Sequence, residues 1–227
     1  MTLRTLFAAL GLVLAGCAST PPIPDAAADA WHAVPLPGKS ETRYLAALKD
    51  GRRSIAAVSD GSASTWRRRL DVPAINLGEV SFSWWVQDVI SNASVADATR
   101  EDAPARVMFG FAGDLSQLPM RTRMLFDLAE ALTGEKPPFA TLLYVWDAHA
   151  PIGTVIVNPR SDRVRKIVVD SGPGQLRRWR DHKRDLAADF RLAFGEAPGK
   201  LTSVALMTDS DNTKSSAQTW YGPVDLP

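Results

Sequence analysis

The sequence predicts a mainly β chain, a β-sandwich with two short cover helices, and three observations lead there. Short runs of β-branched and aromatic residues recur along the 227 residues, separated by polar turn residues. Many short strands at such spacing fit a sandwich and not a nucleotide-binding α/β fold. Two stretches alone keep the apolar period of a helix, and a hydrophobic content of 45% suffices for one sizeable core.

In chain order, residues 1–16 carry one basic side chain, Arg4, ahead of an apolar run from Leu6 to Ala15. That run is too short to span a bilayer and fits the h-region of a signal peptide. It closes on Leu14-Ala15-Gly16-Cys17, which resembles the lipobox of bacterial lipoproteins. The resemblance implies that Cys17 is acylated and becomes the first mature residue. Ala18, standing where an Asp would favour the inner membrane, implies an outer-membrane lipoprotein facing the periplasm. Cys17 is the one cysteine of the chain, which excludes a disulfide framework and a cysteine nucleophile elsewhere. With Arg4 removed, 25 basic side chains face 25 acidic ones. Attachment would therefore rest on acyl chains, and no basic field invites nucleic acid. Residues 17–30, rich in Pro and Ala, read as a lipidated tether, and 31–227 as a single domain.

Within that domain, strands are expected at 54–58, 80–89, 106–111, 141–146, 153–157, 164–169, 201–208 and 219–226. The stretch LPMRTRMLFDLAEALTG sets Leu118, Met124, Leu125, Leu128 and Leu132 at helical spacing and stops at Gly134. DLAADFRLAFG offers Asp185 as N-cap, Leu186, Phe190 and Phe194 as an apolar stripe, and Gly195 as the stop. Both helices are expected to cover a sheet.

Chemical motifs are sparse. His32, His149 and His182 form no zinc spacing and read as surface or locally bonded groups. DSGPG at 170–174 lacks the leading Gly of a nucleophile elbow and reads as a turn after a buried strand. Gly195 to Lys200 falls short of a phosphate-binding loop in length and in its missing Ser or Thr. Asp97, Glu101 and Asp102 could supply paired carboxylates for glycoside chemistry, or ion pairs with Arg100 or Arg106. The segment MTDSDNT holds Asp209, Asp211 and Asn212. An EF-hand reading fails there, because Lys214 stands at the sixth position and Trp220 at the twelfth. A hydrogen-bonded turn, a looser structural calcium site on Asp209 and Asp211, or a ligand site remain as readings. No nucleotide, haem or flavin cofactor is implied.

The seven Trp residues say more. In a strand, Phe82, Trp84 and Val86 share one face and Ser83, Trp85 and Gln87 the other. The first set reads as core. The second joins an indole to small polar groups, as a sheet face that meets a sugar does, unless a helix covers it.

Six blocks carry a wider resemblance: AAVSDGSASTWRRRLDV (56–72), VSFSWWVQDVISNASVADATREDAPARVMFGF (80–111), TLLYVWD (141–147), IVVDSG (167–172), WRDHKRDLAADFRLAFG (179–195) and LTSVALMTDSDNTKSSAQTWYG (201–222). From about residue 31 onward the chain resembles the bacterial domain of unknown function numbered 3047. The resemblance implies a jelly-roll-like sandwich similar to galactose-binding and carbohydrate-binding modules, and it offers no activity to carry over.

Three functions compete. The first is a lipid-anchored binding module holding a glycan or other envelope ligand, with Trp85, Ser83, Gln87, Asp97, Asp102, Arg106, Asp209, Asp211 and Asn212 as candidate ligand residues. The second is a glycan-active enzyme using paired carboxylates, and the third a structural lipoprotein docking a partner protein.

Overall fold

The computed structural model describes residues 30–227. The signal segment, Cys17 and all but the last residue of the tether lie outside the described residues. Twelve strands and two α-helices follow one another among them: β1 (His32–Pro35), β2 (Arg43–Lys49), β3 (Arg52–Asp60), β4 (Ser64–Val72), β5 (Glu79–Val86), β6 (Ala103–Phe111), α1 (Met120–Thr133), β7 (Ala140–Asp147), β8 (Val155–Asn158), β9 (Ser161–Ser171), β10 (Trp179–Asp185), α2 (Leu186–Phe194), β11 (Leu201–Asp209) and β12 (Ser216–Tyr221). They form two sheets. Seven strands run in the order β1-β4-β11-β6-β7-β9-β8, and five in the order β10-β5-β12-β3-β2. All pairs are antiparallel except β7 with β9. Strands from β3 to β6 and from β9 to β12 alternate between the sheets, which gives the jelly-roll-like winding.

The inward faces supply the core expected from alternation. Phe82, Trp84 and Val86 of β5 are buried against Val107, Phe109, Tyr144 and Trp146 of β6 and β7. Phe82 stacks on Tyr144 with centroids 5.3 Å apart. Helix α2 closes one end of this core. Asp185 accepts from the Ala188 N–H to cap it, Gly195 ends it in a left-handed turn, and Phe190 packs 4.6 Å from Phe111. In the segment that follows, a Cβ on Gly199 would lie 2.0 Å from the Ala112 carbonyl oxygen, so only Gly fits.

The other face of the seven-stranded sheet is covered too. Val95, from the long segment between β5 and β6, is buried with Leu143, Val145, Ile156 and Val168. Helix α1 lies beyond it and departs from expectation. Leu118 is buried just before the helix and Phe126 within it, whereas Met124, Leu125, Leu128 and Leu132 are exposed.

Four strands escape the alternation reading: β1, β2, β4 and β10. In β4, Trp66, Leu70 and Val72 pack against the core, but Arg67, Arg68 and Arg69 interrupt the pattern between them. In β10, WRDHKRD, only the register shows which residues face inward: His182 lies opposite Phe82.

Candidate functional site

The outer face of the five-stranded sheet is built by cross-strand register. Trp179 of β10 lies opposite Trp85 of β5, and Trp85 opposite Trp220 of β12, so three indoles form one row across adjacent strands. Trp85 and Trp220 meet edge to face at 5.0 Å. The Lys49 ammonium sits 3.5 Å from the Trp85 ring centroid and 4.3 Å from that of Trp220, and the Arg52 guanidinium lies 5.1 Å over Trp179. Arg52 in turn holds Asp181 at 2.7 Å. Trp85 is thus only 6% exposed, covered by neighbouring side chains and not by a helix, while Trp179 and Trp220 stay half-buried. Its indole Nε1 is buried without a hydrogen-bond partner, whereas Trp179 donates to the Lys49 carbonyl at 3.2 Å. Ser83 is buried beside Gly222, where a Cβ would strike its hydroxyl.

Beside this row the same face hollows into a cavity of about 370 Å³, lined by Gln87, Gln218, Arg43, Val58, Asp60, Asp88 and Ser216 among others. Gln87, directly after the end of β5, lines this cavity beside Gln218, to whose carbonyl its N–H donates. Trp179, Trp220, Lys49 and Gln218 were missed. Seeing them required the pairing of β10, β12 and β2, which strand patterns alone do not provide.

The remaining candidates except Asp97 gather elsewhere, in a buried polar cluster on the far sheet. Arg106 donates to Asp209 at 2.9 Å and to the Glu101 carbonyl at 2.8 Å. Glu101 also meets Lys166 at 2.6 Å and Arg160 at 3.0 Å, and accepts from Asn158 at 2.7 Å. Asp102 accepts from the Thr213 N–H at 2.7 Å, the Thr213 hydroxyl at 2.5 Å and the Asn212 N–H at 3.2 Å. Asp211 is paired with Lys39. Burial pushes the Asp209 carboxyl up; Arg106 opposes this and Asp102 and Asp211 add to it, leaving it at about 7. Burial and the Arg106 charge push Lys166 down to about 8 against the pull of Glu101. Asp97 stands apart on an exposed turn, where the N–H and hydroxyl of Thr99 and then Arg100 hold it at about 2.

Asp102, Asp209 and Asp211 bring carboxylate oxygens within 4.8 Å of one another, a donor set of the hard-oxygen kind calcium prefers. Arg106 already pairs with Asp209 and Lys39 with Asp211, while Thr213 and Asn212 donate to Asp102 and the Ala103 N–H to Asp209. The trio is buried, at 2–5% exposure, which leaves its oxygens facing protein donors and not a substrate bond. MTDSDNT itself joins β11 to β12 across the two sheets, with Lys214 at φ 53° in the turn and the Ser215 N–H donating to the Ser210 carbonyl.

A second buried network was not foreseen. Asp170, fully buried, accepts from Trp84 at 2.8 Å and Arg180 at 3.0 Å, and His182 lies 2.9 Å from it. Burial raises the Asp170 carboxyl, but the bonds from His182 and Trp84 outweigh it and hold the group low. His182 is stacked on Phe82 at 5.0 Å, so this polar tie joins the two sheets from within.

No curated protein matches the chain. Among solved structures, the family 11 carbohydrate-binding module from Clostridium thermocellum, in complex with a β-1,3-1,4-mixed-linked tetrasaccharide, is similar at 11% identity and TM-score 0.41, over 86% of this chain and 87% of that one. A variant of the Cel12A cellulase of Rhodothermus marinus is similar at 10% identity and TM-score 0.42, over 87% and 95%. The xyloglucanase domain of an effector from Sinorhizobium fredii is similar at 7% identity and TM-score 0.40, over 87% and 97%. Likeness at this level says nothing of what this chain binds. The six sequence blocks, by contrast, fall inside one family that spans nearly the whole described domain: the chain belongs to the protein family of unknown function DUF3047, matched over residues 29–225.

Proposed function

We propose that the protein is a non-catalytic glycan-binding module of the cell envelope, held at the outer membrane by an acylated Cys17 and facing the periplasm. One observation carries the binding reading: the row Trp179–Trp85–Trp220 runs beside a hollow of about 370 Å³ lined by two carboxamides and by groups of both charges. Indole faces stack on the C–H faces of pyranose rings, and amides bond their hydroxyls in both directions. Lys49 and Arg52 rest on the indoles where a sugar ring would lie. Both are long and flexible, so a ligand can displace them at small cost. The burial of Glu101, Asp209 and Asp211 in ion pairs, and of Asp102 in hydrogen bonds from Asn212 and Thr213, supports binding without catalysis.

Titration calorimetry with envelope polysaccharides tests the reading. Trp220→Ala should weaken binding at least about tenfold, and Gln87→Ala less. No binding to any envelope glycan, or unchanged affinity in both variants, ends it. The anchor is tested separately by metabolic labelling with a palmitate analogue, which should mark the wild-type chain and not Cys17→Ala.

A further inference from the structure

Helix α1 turns its more apolar side away from the protein. At about 100° per residue, Met120, Ala131, Met124, Leu128, Leu132 and Leu125 fall within an arc of about 140° that carries a single charge, Arg121. The opposite arc, which meets the sheet, holds Phe126, Ala129, Thr122 and Thr133. Exposure follows: Met120 is 69% exposed, Met124 65%, Leu128 55% and Leu132 64%, while Phe126 is buried. Side chains of this size gathered on one short helix exceed the scattered apolar exposure of a soluble surface and mark an interaction face. The patch runs on past the helix, because Leu125 and Phe126 share a cavity of about 730 Å³ with Val157 and Pro159, rimmed by Arg121 and Arg160.

Two further facts say what covers it. Ala129 and Thr133 of α1 share the wall of another cavity with Val34, Pro35 and Leu36, so the helix lies beside β1, where the chain enters the domain. Ahead of that entry the sequence offers a membrane-directed segment, and residues 18–30 reach at most roughly 45 Å beyond Cys17 when extended. Given the acylation of Cys17 proposed above, on which this inference rests, a tether of that reach keeps the entry to the domain within that distance of the bilayer, with the side bearing β1 and α1 able to turn toward it. We propose that α1 is an interfacial helix whose Met120–Leu132 stripe lies in a phospholipid surface, with Arg121 and Arg123 reaching the phosphates. The occupant is a lipid surface and not a second copy or a protein partner. This contact is independent of the glycan face, which lies on the outer side of the other sheet.

The test reads local depth, because an acylated chain would bind vesicles whatever α1 does. The full chain carrying Leu128→Cys, and separately the full chain carrying Leu48→Cys on β2, are labelled with an environment-sensitive fluorophore, with the wild-type chain as the control for Cys17. They are then mixed with phosphatidylethanolamine–phosphatidylglycerol vesicles, with and without brominated acyl chains. The expected result is a blue shift and at least about twofold quenching at position 128, with position 48 unchanged, and weakening of the signal when Met124→Asp is added. A label at 128 that stays in water overturns the proposal. So does equal quenching at 48, or shielding at 128 that arises without vesicles and tracks self-association in sedimentation.

Discussion

At the scale of single residues, the decisive side chain of the buried cluster is Arg106. It is the common partner of Asp209 and Glu101, and its own Nε has no acceptor. Arg106→Leu leaves those acids buried without it and should lower stability by about 3–5 kcal/mol in denaturant titration, far beyond the loss of one surface pair. Asp209 sets a pH dependence. Its folded pKa of about 7 lies above the ordinary carboxylate value, so between the two the folded state holds a proton that the unfolded state has released. Its contribution to stability is therefore full below about pH 4, falls as pH rises toward 7, and is flat above. In Asp209→Asn that slope should vanish from the melting temperature measured across this range. A slope of the opposite sign in the wild type would mean that Arg106 outweighs burial. The carboxylate trio is also expected to need no metal: a chelator should leave the thermal transition in place, since Asp209 is paired with Arg106, Asp211 with Lys39, and Asp102 is held by Thr213 and Asn212.

At the scale of elements, the two helices use their sequences in opposite ways. Helix α2 follows its pattern, with Asp185 and Gly195 at its ends and Leu186 and Phe190 inward. Asp185→Ala should cost about 1 kcal/mol, read by equilibrium unfolding, because the Ala188 N–H loses its acceptor. Helix α1 is legible as a helix from the same kind of pattern, but not in its orientation, since periodicity reports an apolar side without saying what meets it. The same limit explains the strands. Those written in alternating apolar residues, such as Val80 to Val86 and Leu201 to Met207, stand in the sequence; β4 and β10 do not, because three consecutive Arg and a run of charges conceal the inward Trp66 and His182. At the candidate site, Trp85 and Gln87 could be assigned to one face from the alternation of residues 80–89 alone. Trp179 and Trp220 join that face only through register, and register depends on strands far apart in the chain.

At the scale of the whole molecule, the sheets are joined at separate places by groups distant in sequence. Asp170 ties β9 to β5 and β10 through Trp84, Arg180 and His182. Asp102 binds the start of β6 to the connector from β11 to β12. Such ties make the sheets lose their order together. Asp102→Ala should therefore raise amide exchange in both sheets at once, by about 1–3 kcal/mol, and not only around residues 210–215. The sheet borders have a different consequence. β10 closes the five-stranded sheet with Arg180, Asp181, Lys183 and Arg184; β1 ends in Pro35, and β8 is followed directly by Pro159. A border of charges, or one interrupted by a residue lacking an N–H, is a poor template for a foreign strand. In β10 the charges that hide the strand from a pattern reader are the same ones that make its free edge a poor place for a foreign strand to pair.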